Sequence, residues 1–207
     1  MTDHNALIAT AAKAALGPLG FRRMGRSRTW LADHGWWLTV VEFRPSAWER
    51  GSYLNVAAHW LWGTMGVVTL DYGQRVGSFL AARDELGFRA GLPDLSASAA
   101  SEAQALMERF GSVAATAEVL LRDEDETPAP QRGSWLALNA GVAAGLAGMV
   151  PAAARMFQSI GDTRVTPHMS ALVATLGQPE AFAQTVRARI GVQRAALRLK
   201  PFEGTIM

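Results

Sequence analysis

Apolar residues recur along this chain at two different periods, and the change from one to the other organises it. Over residues 4–16, Leu7, Ile8, Ala11, Ala14 and Ala15 fall at helical spacing. Asp3 is placed to cap that helix, and Gly17-Pro18 to stop it. From Ser27 the pattern becomes strand-like. Strands are expected at Ser27–Ala32, Trp36–Arg44 and Ser52–Trp62, with Asp33-His34-Gly35 as a tight turn and Pro45–Gly51 as a loop. Two shorter strands are expected at Val67–Tyr72 and Val76–Ala81.

Beyond these the period is helical. Helices are expected over Ser96–Phe110 and Ser112–Leu121, broken at Gly111, and over Ser134–Gly148, Pro151–Ile160, Thr166–Leu176 and Pro179–Leu199. Proline in the first turn suits a helix start, because its missing N–H would have no intrahelical partner there. The charged, proline-containing stretch Arg122–Pro130 reads as a linker. The expected organisation is an α+β domain over residues 1–122, an acidic linker over 123–133 and a helical subdomain over 134–207. The expected fold is a largely antiparallel sheet of four or five strands, packed with the N-terminal helix and followed by a helical region. Gly141, Ala144, Gly148, Ala153 and Phe157 are spaced much as in a single tetratricopeptide-type hairpin. We read this as local packing of two helices through small residues, since such repeats need about three copies.

Alternation in the third strand puts Leu54, Val56, Ala58, Trp60 and Trp62 on one face and Tyr53, Asn55, Ala57, His59 and Leu61 on the other. The second strand is apolar on both faces, so the sheet is expected to be sandwiched. Polar groups on such a sheet need partners. Asn55, His59, Glu42 and Arg44 are therefore read either as a satisfied network or as a pocket, with Arg44 holding an anion and His59 and Glu42 moving a proton.

Six of the seven tryptophans lie between Trp30 and Trp62. Arg22, Arg23, Arg26 and Arg28, followed by Trp30, Trp36 and Trp48, form the leading candidate surface, since arginine and indole concentrate in interface anchors. Those residues could instead be core and solvated loop. The formal charge is +2, but residues 1–70 balance at +3, residues 71–134 at −5 and residues 135–207 at +4. An acidic middle between basic ends argues against a continuous nucleic-acid track.

Several chemistries are excluded or unsupported. The sequence has no cysteine, which excludes disulfides, thiolate metal sites and cysteine nucleophiles. The four histidines, His4, His34, His59 and His168, show no zinc-site spacing. Asp123–Glu126 lacks the pattern of a calcium loop, and Gly17-Pro18-Leu19-Gly20 lacks the lysine of a phosphate loop. No cofactor is expected. No run reaches the ~18 apolar residues of a spanning helix. A cytoplasmic bacterial protein is the expectation.

Residues Leu16–Phe21, Arg22–Trp30, Trp37–Phe43 and Tyr53–Val56 resemble a bacterial family, the domain-of-unknown-function 4304 family. That family has a helix ending in a leucine-glycine-phenylalanine turn with basic residues. Then come an aromatic strand, a strand carrying polar residues, and one with an asparagine-valine step. The resemblance implies an α+β fold and brings no catalytic residues. Where its members often carry glutamine or asparagine near Glu42, this chain has a carboxylate.

The resulting expectation is a non-enzymatic protein-binding module of accessory or toxin-neutralising type. Its partner- or ligand-binding residues would be Arg23, Arg26, Arg28, Trp30, Trp36, Arg44, Trp48, Asn55 and His59. Two other readings differ in class: a small-molecule-binding or hydrolytic enzyme using the polar strand face, and single-stranded nucleic-acid binding. The enzyme reading requires His59, Glu42 and Arg44 to converge on one cavity.

Overall fold

The computed structural model describes residues 4–204, so the expected Asp3 cap lies outside the described residues. The fold is α+β. Helix α1 (His4–Leu16) leads through a short 3-10 turn to a five-stranded antiparallel sheet, and a helical region follows. The strands are β1 (Arg22–Arg23), β2 (Thr29–Asp33), β3 (Trp37–Arg44), β4 (Gly51–Trp60) and β5 (Tyr72–Ala81). They lie side by side in chain order, as a meander. The helices are α2 (Glu85–Arg109), α3 (Val113–Glu126), α4 (Trp135–Leu146), α5 (Val150–Ser159), α6 (Ser170–Thr175) and α7 (Pro179–Ala196).

The packing divides the chain into two compact units. One holds the residues up to His59 together with Tyr72–Glu108; the other holds Trp60–Asp71 and the chain from Arg109 on. These boundaries differ from those expected at 122 and 134.

In the first unit, the Asp33-His34-Gly35 turn closes the β2–β3 hairpin. Asp33 Oδ1 accepts from Gly35 N at 2.9 Å, and Gly35 takes a φ of +87° that a β-carbon would resist. Thr29 opposes Glu42 and Trp30 opposes Val41, so Trp30, Val41 and Phe43 share one face. Leu54 and Leu80 belong to the face that α2 covers: a β-carbon on Gly91 of α2 would stand 2.4 Å from Leu80 Cδ1. Gly91 therefore permits close helix–sheet approach. Helix α2 begins at Glu85 and not at Ser96 as expected, with Phe88, Leu92 and Leu95 buried along one helix that runs on through Gly91 and Pro93. On the opposite face Leu38, Val40, Ala57 and His59 are buried too, so the sheet is enclosed on both sides along that half.

In the second unit two expectations are overturned. Residues 67–71 form no strand, and around them side chains take the place of a ladder partner. Gln193 of α7 accepts from Gly66 N at 2.8 Å through Oε1 and donates to Val67 O at 3.1 Å through Nε2. Asp71 Oδ2 accepts from Trp60 N at 2.8 Å. The expected third strand also stops early, since Leu61–Gly63 is a 3-10 turn whose Trp62 carbonyl accepts from Arg189.

The acidic run is not a linker either. It forms the last turn of α3, and Glu124 is buried with Oε1 accepting from Gly133 N at 2.7 Å. Arg132 donates to the carbonyls of Asp125 and Thr127, so residues 127–133 are tied down. The α4–α5 hairpin packs through small residues as expected, and a β-carbon on Gly141 would meet Phe157 at 2.7 Å. Among the described residues, no helix is long and apolar enough to cross a membrane.

Candidate functional site

An antiparallel meander brings alternate strand ends together. Arg23 ends β1, Arg28 precedes β2, Arg44 ends β3, Arg50 precedes β4 and Arg83 follows β5. With Arg26 in the β1–β2 turn, six arginines scattered over sixty residues of sequence meet at one end of the sheet. The β3–β4 loop projects from the same end.

That loop is shaped locally. Ser46 Oγ accepts from Trp48 N at 3.1 Å and from Glu49 N at 3.4 Å, a side-chain turn that fixes the loop backbone at Trp48. Trp48 is 95% exposed. Beside it lies an open groove of about 330 Å³, walled by His4, Arg28 and residues 45–51. Arg28 is held in place there, Nε donating to Asn5 Oδ1 and Nη1 reaching Gly51 O at 3.5 Å.

The arginines serve different purposes. Arg23 donates from Nε to Ser27 O at 2.6 Å and from Nη2 to Arg26 O at 2.9 Å, so it staples the turn that carries Arg26. Arg83 forms an exposed pair with Glu49 at 3.7 Å, a contact worth little in stability. Arg26, Arg44 and Arg50 are exposed and have no ion-pair partner among the described residues.

The tryptophan cluster splits. Trp30 and Trp36 are buried, at 5% and 8% exposure, and Trp37, Trp60 and Trp62 are more deeply so. The expectation that Trp30 and Trp36 line a surface is therefore corrected: strand alternation turns Trp30 inward beside Val41, and Trp36 is packed at the mouth of the hairpin against Trp37, 6.0 Å between ring centres. Trp48 alone of the six is presented to solvent.

The polar strand face is a network in part. Asn55 Nδ2 donates to Glu42 Oε2 at 2.8 Å, and the register places Thr29 beside Glu42 and Arg75 beside Asn55. Arg75 lies over the Tyr53 ring at 3.9 Å. His59 is on the same face but fully buried, four residues or about 13 Å along β4 from Asn55. Arg44 is exposed at the strand end. The triad His59, Glu42 and Arg44 thus does not converge on one cavity, and proton transfer to a shared substrate has no geometry here. Among the described residues no cluster of three or more potential ligands could hold a metal ion.

Arg50 and Arg83 were missed as site residues. Each stands next to a strand terminus with no sequence motif, and only the meander order brings them to Arg28 and Arg44. Compared with family models, curated proteins and solved structures, the chain matches none.

Proposed function

We propose that this protein is a non-catalytic module that binds a protein partner through the β3–β4 loop end of its sheet, with Trp48 as the anchor. One observation carries this reading: a fully presented indole in a chain whose neighbouring tryptophans are all buried. Exposing so large an apolar ring to water is unfavourable, and tryptophan ringed by arginine is the composition of interface hot spots. The groove beside it is open to solvent, which suits a segment of another protein better than a small substrate. Membership of the domain-of-unknown-function 4304 family belongs to the same proposal, resting on the motifs of residues 16–56.

A photo-crosslinking side chain at position 48, expressed in the source cells, tests the reading. Leu86, 81% exposed at the start of α2, supplies the control position. A discrete adduct from position 48 and none from position 86 is the expected result. No adduct at 48, or the same adducts at both, would remove the basis of the proposal.

A further inference from the structure

The basic end of the sheet constrains what that partner offers, and the argument rests on the protein-binding reading above. We infer that the surface recognises an acidic segment carrying an apolar residue. Its carboxylates lie against Arg26, Arg44 and Arg50, and its apolar side chain lies on Trp48.

The carboxylates nearest this end in the chain are already engaged. Glu49 pairs with Arg83 at 3.7 Å. Asp84 Oδ1 accepts from Gly87 N at 2.7 Å, and Glu85 pairs with Arg89 at 2.7 Å, so both serve the first turn of α2. Arg26, Arg44 and Arg50 are left as unneutralised guanidiniums at the same end of the sheet as the exposed indole. Guanidinium matches carboxylate geometry in a paired fork, so acidic side chains are the natural complement.

The charge distribution favours a short acidic segment over a nucleic acid. A phosphate backbone needs an extended basic track and several stacking rings. At this end of the sheet one exposed ring, Trp48, is available.

The test uses the full chain and fluorescently labelled peptides, with binding read by anisotropy. A short Glu/Leu peptide is compared with its Lys/Leu counterpart and with a thymidine oligonucleotide of equal charge. The Glu/Leu peptide is expected to bind and the Lys/Leu peptide not. Affinity should fall at least about tenfold between low and high salt, and by a similar factor in Arg44→Glu/Arg50→Glu. Trp48→Ala should weaken it several-fold. Because charge reversal could disturb folding, Arg44→Gln/Arg50→Gln is measured alongside, with circular dichroism on both. Equal binding of the two peptides, indifference to both double variants, or tighter binding of the oligonucleotide would overturn the inference. The two proposals fail separately. A position-48 adduct that forms equally well in Arg44→Glu/Arg50→Glu cells sinks the acidic segment and leaves the protein-binding reading standing, whereas no adduct at all sinks both.

Discussion

Asn55 and Glu42 are joined across β4 and β3 by a 2.8 Å hydrogen bond, the amide donating to a half-buried carboxylate. Asn55 is 6% exposed, so its amide would otherwise be buried without a partner. Asn55→Leu removes the donor and leaves Glu42 partly desolvated. A loss of about 1–3 kcal/mol in urea unfolding is expected. In a double-mutant cycle with Glu42→Ala the two residues should couple by at least about 0.5 kcal/mol. Strict additivity would mean that the contact contributes nothing.

Trp48 and Trp60 lie on one loop and its following strand, yet their truncations should differ sharply. Trp60 is 1% exposed, stacked on Trp62 at 5.3 Å and edge-on to Phe110 at 5.0 Å. Trp60→Ala is expected to cost about 3–5 kcal/mol. Trp48→Ala should leave stability within about 0.5 kcal/mol, since its side chain meets water. Chemical denaturation of both variants decides it. A Trp48→Ala loss near that of Trp60→Ala would show the loop to be packed, contrary to its exposure.

Gln193 stands in for a strand at Gly66 and Val67 through its two hydrogen bonds. Gln193→Leu keeps the buried volume and removes both bonds. Faster amide exchange confined to residues near Gly66 is expected, with a global cost of about 1–3 kcal/mol. Unchanged protection at Gly66 would mean the segment is held by something else.

His34 sets a pH dependence. Its ring stacks on Trp37 at 4.3 Å, and Nε2 lies 2.9 Å from Thr39 Oγ1. Burial pushes its pKa below the ordinary 6.5, against the opposing pull of Asp33. The unfolded chain therefore takes up this proton more readily than the folded one. Stability is unaffected by this group above about pH 6.5 and declines as pH falls from there towards the folded pKa. His168 acts in the same sense, lowered by desolvation and then by the Arg189 charge. Melting curves between about pH 5 and 7.5 should show the decline, and His34→Gln should flatten part of it. An identical slope in the variant would assign the effect elsewhere.

Local signals were the legible ones. The Asp33-His34-Gly35 turn, the Ser112 cap whose Oγ accepts from Ala115 N, and Pro179 opening α7 each act within a few residues, and each could be read from the chain. The start of α2 was not legible because the burial that carries the helix across Gly91 and Pro93 comes from Phe88, Leu92 and Leu95 on either side. Asp123–Glu126 misled for the same reason: four acids in a row look solvated, yet helical spacing turns Glu124 inward to Gly133 while Asp125 turns out to Arg155 at 2.6 Å.

Alternation and caps by themselves determined that this chain forms a hairpin-led sheet followed by helices, because those forces act between near neighbours. Which tryptophan meets water, which arginines share a surface and which segment borrows its partners from α7 were decided only by tertiary structure. Those outcomes depend on groups far apart in sequence, such as Arg28 with Arg50 or Gly66 with Gln193, whose meeting no local pattern encodes.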